Sequence, residues 1–217
     1  ILDPYKENYS FHMGGEAFVA GSVTDVVAGE VRMLFIIGLL IMIFLLYINI
    51  RQVYGVLCIL VTIFLSVGAM MGFMGWVVTL TGSERFHFTM VNSSMPIILM
   101  TIAAADGVHF LTKFLREMRK RKHVEKAVLE TMQRLLLPVF LTSLTTIVAF
   151  LSLTFAPIEQ FTGYGISVSL GITWAWLLSS LFLPAMIVRH KWNLKSRAVT
   201  HLSPIERIVS LYGNLIT

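Results

Sequence analysis

Charge is what this chain has least of. Asp, Glu, Lys and Arg make up 13% of its 217 residues, about half the share usual in soluble domains. With 56% hydrophobic residues and a mean hydropathy of +0.79, that scarcity excludes an ordinary water-soluble globule and identifies an integral membrane protein. Cysteine is nearly absent. Cys58 stands alone in an apolar run, which excludes an intramolecular disulfide and reads as a small buried hydrophobe. Soluble-enzyme signatures are missing too: there is no phosphate-cradling glycine loop, no His-Glu-x-x-His pair and no Gly-x-Ser-x-Gly elbow. His12, His87, His123, His190 and His201 are scattered and form no ligand set. No enzymatic activity, no metal and no cofactor is therefore expected. The net charge of +5 is expected to collect on the cytoplasmic side of a membrane rather than to mark a nucleic-acid partner. The chain begins at Ile1 without the pattern of a cleavable leader, and it reads as a piece of something longer.

Long apolar runs are what is present. Residues 1–30 form a polar leader in which Ser10–Met13 reads as a short strand ended by Gly14 and Gly15. Phe18, Val19, Val23, Val26 and Val27 then recur at helical spacing. About 20 apolar residues cross the hydrocarbon core at about 1.5 Å per residue. The sequence predicts five such spans, at about 31–50, 53–81, 90–114, 135–155 and 163–188, within a transmembrane bundle of residues 31–191. Gly68, Gly72 and Gly75 share one face of the second span, a spacing that lets helix backbones approach closely. Between the third and fourth spans, Lys113–Arg134 carries eight basic residues, with Val124, Ala127, Val128 and Met132 at helical spacing. It reads as an amphipathic helix on the membrane surface. Residues 192–217 form a linker and an interfacial helix that opens with the capping box Ser203-Pro204-Ile205-Glu206. Arg51, the 113–134 loop and the basic tail 189–197 alternate with the acidic or neutral connections. That alternation puts the N-terminus outside and the C-terminus in the cytoplasm.

The fold class expected is thus an all-α five-span helical bundle. Its chemistry concentrates on the third span. A carboxylate in hydrocarbon costs about 2.5–3.5 kcal/mol on insertion scales, and Asp106 lies well inside that span. His109 is one turn away, and Asn92 and Lys113 share the heptad phase of Asp106. Thr101, Ala103, Ala104, Ala105 and Gly107 keep the helix thin around the acid. The fourth span carries Thr142, Ser143, Thr145 and Thr146 one turn beyond Pro138, hydroxyls able to bond a carboxyl or hold water. One reading makes Asp106 a proton carrier, because apolar surroundings raise a carboxyl pKa and a nearby cation lowers it. His109 would then be a relay or a counter-charge. The other makes Asp106 half of a structural pair with His109 or Lys113.

At these residues the sequence resembles a family. The runs ADGVHFLTKFLREM, PVFLTSLTTIVAFLSL and FTGYGISVSLGITWAWLLSSLFLPAMI are similar to the membrane half of resistance–nodulation–division (RND) exporters. The nearest branch is the MMPL-like, hydrophobe/amphiphile type, which shares sterol-sensing-domain helices. The resemblance places Asp106 on the family's proton-relay aspartate. It places Thr142, Thr145 and Thr146 on its threonine motif, Phe150 on the following aromatic and Leu183-Pro184-Ala185 on its closing motif. It implies that the five spans are the second to sixth of twelve. Residues 1–30 would end a periplasmic porter domain, and the location would be the bacterial inner membrane. Expected partners are membrane lipids, a hydrophobic substrate, and a second half of the same transporter or another protomer. Ala-Ala-Ala-Asp-Gly at 103–107 departs from the Gly-rich, Asp-Tyr pattern of many relatives, which leaves the hydrogen-bond partner of Asp106 open. A sterol-sensing-type lipid-binding or regulatory module without transport is the alternative. The accessory Sec proteins of protein export share the layout but differ after the aspartate.

Overall fold

The computed structural model describes residues 15–86, 91–190 and 192, with side chains described except at 16–28, 84 and 91. The expected strand at Ser10–Met13 and the interfacial helix at Ser203–Ile216 lie outside the described residues. Six helices follow in order: α1 Glu16–Ile50, α2 Val53–Thr81, α3 Met95–Arg121, α4 Val124–Leu151, α5 Glu159–Leu177 and α6 Leu183–Arg189. Short 3₁₀ turns cover Glu84–Phe86, Val91–Ser94 and Ser152–Phe155. A π-helical turn, Leu178–Phe182, joins α5 to α6 into one span. Among the described residues there is no strand, and five helical stretches are long and apolar enough to cross a membrane.

The connections are tight, and left-handed residues make them. Arg51 (φ 54°) ends α1 with its N–H on the Tyr47 carbonyl at 2.8 Å. Lys122 (φ 52°) ends α3 in the same way on Met118 at 2.9 Å. Only Lys122 and His123 separate α3 from α4. There is accordingly no separate surface helix over 113–134. The third span continues seven residues past the predicted 114 to Arg121, and the fourth begins at Val124. Lys, Arg and Glu are good helix formers, and their long stems can lie along apolar neighbours. A polar run therefore need not end a helix. The fifth span likewise starts at Glu159 rather than 163.

The π turn has a local cause. Pro184 has no N–H to give to the Ser180 carbonyl, and its ring crowds that carbonyl. Widening the preceding turn to π geometry relieves both.

Helix α3 is the axis of the bundle, packing against α1, α2, α4 and α5. Gly107 lets α2 come close, since a Cβ there would lie 2.9 Å from Cγ1 of Ile59. Gly163 lets α5 pass the 84–86 turn, where a Cβ would overlap the Arg85 carbonyl. The face formed by Gly68, Gly72 and Gly75 does not serve this purpose. All three are exposed, and no side chain or backbone lies within 4 Å of their Cβ positions. Small residues permit a close neighbour, but within this chain the bulk on α3 and α5 meets the opposite face of α2.

The two ends of the bundle are chemically distinct. At one end Tyr54 stacks on His190 at 3.7 Å, and Trp192 packs against Phe114 at 4.9 Å while donating from Nε1 to the Ile187 carbonyl at 2.8 Å. The start of α2, the end of α3 and the residues after α6 thus meet at the same end. At the other end the Ser94 and Tyr164 hydroxyls share a hydrogen bond at 3.1 Å, and Arg85 pairs with Glu159 at 3.4 Å.

Candidate functional site

Asp106 lies at the middle of the third span, Asn92–Arg121. It is 8% exposed. Its Oδ2 is buried and has no hydrogen-bond partner among the described residues. An open cavity of about 370 Å³ runs beside it between α3 and α4, and Asp106, His109, Pro138, Thr142, Ser143 and Thr146 contribute to its wall. The i,i+3 spacing on α3 thus puts Asp106 and His109 on one cavity, and the hydroxyl run on α4 faces them.

Two of the three cavity hydroxyls are arranged as acceptors. Thr142 donates to the Val139 carbonyl at 2.9 Å, and Thr146 donates to the Thr142 carbonyl at 2.7 Å. Each proton is used within the helix, which leaves the oxygen free to accept. Ser143 Oγ is buried without a partner, as Asp106 Oδ2 is. Two orphaned polar atoms on residues that border one cavity are unusual, because buried polar groups are nearly always hydrogen-bonded.

Not every residue expected here arrives. Thr145 does not line the cavity; it is exposed, and its hydroxyl bonds back to the Thr142 carbonyl at 2.9 Å. Asn92 is buried in the 3₁₀ turn before α3. Its place is the Ser94–Tyr164 end, about 20 Å along the axis from Asp106 at 1.5 Å per residue. A shared heptad phase gives the same face, not the same depth. Lys113 does not pair with Asp106 but lies 3.6 Å from Glu117.

Two features escaped the sequence reading. Glu117 is 3% exposed and has Lys113, Lys120 and Arg121 at 3.6–3.9 Å. Arg121 also bonds Glu130 at 2.7 Å, as does Arg134. This ionic cluster ties the end of α3 to the start of α4. Its signal was the i,i+4 spacing of Lys113, Glu117 and Arg121. The second feature is the serine pair Ser179 and Ser180 on the π turn, which also borders Asp106. Among the described residues no group of three or more His, Cys, Asp or Glu side chains comes together as a metal site.

Comparison with known proteins agrees with this architecture. A membrane protein of Methanocaldococcus jannaschii is 27% identical over 99 residues, which cover 46% of this chain and 26% of that protein. The matched part thus spans about a quarter of the relative's length. No solved structure matches the chain. The family model described as the MMPL family matches residues 4–202. Five membrane-length helices and a match over nearly the whole chain make it a member of the MMPL family of RND-like multi-pass membrane proteins.

Proposed function

We propose that the chain is part of a proton-motive-force-driven exporter that moves a lipid or other hydrophobic molecule out of the bacterial cytoplasmic membrane. Asp106 is the group that takes up and releases the proton. The observation that carries this reading is a mid-span carboxylate without an ion partner among the described residues, on an open cavity that Thr142, Ser143 and Thr146 also line. A structural acid would be neutralised by a fixed cation, and both sequence-level candidates, His109 and Lys113, leave it unpaired. His109 lines the same cavity and acts as a relay between Asp106 and water. Thr142, Ser143 and Thr146 hold that water. The end bearing Arg51, Arg121 and Arg189 is the cytoplasmic one, following the excess of basic residues there. The N-terminus then lies outside. A second half of the same transporter, or another protomer, closes the exposed side of the cavity.

The test is Asp106→Asn in the full protein. Membrane-surface lipids are compared between cells carrying the wild type and the variant. Loss of export from a protein that is still inserted and folded is expected. Export at the wild-type level would overturn the proton-carrier role and favour a lipid-binding or regulatory module without transport.

A further inference from the structure

Helix α4 has two exposed faces of different chemistry. At about 100° per residue, Lys126, Leu129, Gln133, Leu137, Leu144 and Val148 fall within an arc of about 100°, and all six are exposed. The cavity residues Pro138, Thr142 and Thr146 lie roughly opposite that arc. From Lys126 to Leu151 no position on the outer arc is Gly, Ala, Ser or Thr. It is a bulky apolar strip with a cation at one end.

The charged end is short of acid. Glu117 and Glu130 are turned inward, with side chains 4% and 19% exposed, and Lys113, Lys120, Arg121 and Arg134 pair with them. Lys122, at the turn, and Lys126, in the first turn of α4, are exposed and have no ion partner among the described residues. Glu125 is exposed too, but it points about 100° away from Lys126 around the helix. Leu137 lies about 16 Å along the axis from Lys126, about half the thickness of the hydrocarbon core. Side chains lean toward the start of their helix, so Lys126 and Gln133 both reach toward the charged end.

We propose that the outer face of α4 is a binding surface for an anionic phospholipid of the adjoining leaflet. Lys122 and Lys126 meet its phosphate, and its acyl chains run along Leu137 and the apolar residues beyond. Basic residues just outside a span attract anionic headgroups in this way. A lipid answers both halves of the strip, since it brings a negative charge and hydrocarbon in the right order. A second helix answers neither. Helices in a membrane approach each other over small residues, which this face lacks, and a helix seated here would have to bring an acid for Lys126. The opposite face, where Thr142 and Thr145 are exposed, is the one that suits a protein neighbour. The lipid surface does not depend on Asp106 carrying a proton.

The experiment places a fluorophore on Leu137→Cys in the full protein, reconstituted in phosphatidylcholine vesicles. A minor share of the lipid is bromine-tailed phosphatidylglycerol or, in parallel, bromine-tailed phosphatidylcholine, and contact is read as quenching. With both lysines present, phosphatidylglycerol is expected to bind more tightly than phosphatidylcholine, by about fivefold for each lysine engaged. Lys122→Gln/Lys126→Gln brings the two lipids level, and the quenching by phosphatidylcholine that remains shows that the face is still intact. Arg51→Gln removes an exposed cation from the α1–α2 turn at the same end and leaves the preference in place. Equal quenching by the two lipids with both lysines present overturns the proposal, as does a preference that survives the double variant. Loss of the preference in Arg51→Gln as well would make it a property of the whole charged end rather than of α4, and also overturns it. Quenching by neither lipid means that another protein segment covers the face, which overturns it too. Export is not read, so the outcome is separate from that of Asp106→Asn.

Discussion

Asp106 and Glu117 are two acids on one helix, about three turns apart, and both are buried, at 8% and 3% exposure. Their surroundings are opposite. Glu117 sits among Lys113, Lys120 and Arg121, all within 4 Å. Among the described residues Asp106 has no ion partner, and it borders an open cavity whose Thr142 and Thr146 hydroxyls have given their protons to backbone carbonyls. Fixed cations around an acid pair with it and make it a structural tie. An acid without them, beside space for water, can change state. Burial is common to both acids; the fixed charge beside them is what differs.

That contrast can be broken by giving Asp106 what Glu117 has. Thr146 faces the Asp106 cavity from α4, and Thr146→Lys supplies a permanent cation. Export measured in cells is expected to fall to background while the protein remains folded in detergent. Undiminished export would show that a fixed charge near Asp106 is immaterial.

The complementary change empties the other site. Glu117→Gln leaves three cations around a neutral side chain. Breaking a fully buried ion pair costs about 3–5 kcal/mol. These cations are 23–66% exposed, so a loss of about 1–3 kcal/mol is the better expectation. The thermal unfolding midpoint in detergent should fall, and export per folded molecule should stay within about twofold, since a surplus loss of 1.4 kcal/mol in the transport step would already read as tenfold. A larger export defect than stability defect would move Glu117 into the working machinery.

The smallest effect belongs to Lys113→Ala. One of three cations is removed from Glu117, at a cost of about 0.2–1 kcal/mol, and nothing changes at Asp106. Equal sensitivity of export to Lys113→Ala and to Thr146→Lys would erase the distinction between the two acids.

Much of this was legible in the chain itself. Five apolar runs announce five spans because every backbone group in hydrocarbon must be satisfied within its own helix. The i,i+3 spacing of Asp106 and His109 and the hydroxyl run on α4 predict that these groups can share a site, and four of the predicted residues do line one cavity with the acid. What was not legible depends on depth, register and neighbours. Asn92 has the right helical phase but the wrong depth. Gly68, Gly72 and Gly75 are small enough for close packing, yet composition does not say which helix, if any, takes the offer. The polar stretch from Lys113 predicts an exit from the span, whereas its side chains are helix formers that carry α3 on to Arg121. Glu117 was hidden among basic residues because its burial comes from α3 meeting its neighbours. Ser179 and Ser180, which border a small cavity with Asp106, sit on a π turn, and the sequence hint of that turn is a single residue, Pro184.

The most direct test compares proton movement through the two acids. The full protein, as wild type, Asp106→Asn or Glu117→Gln, is reconstituted in vesicles made with host lipid extract. Decay of an imposed pH gradient is then followed with an entrapped pH-sensitive dye. The wild type and Glu117→Gln are expected to dissipate the gradient, whereas Asp106→Asn behaves like protein-free vesicles. Dissipation by Asp106→Asn at the wild-type rate would contradict it.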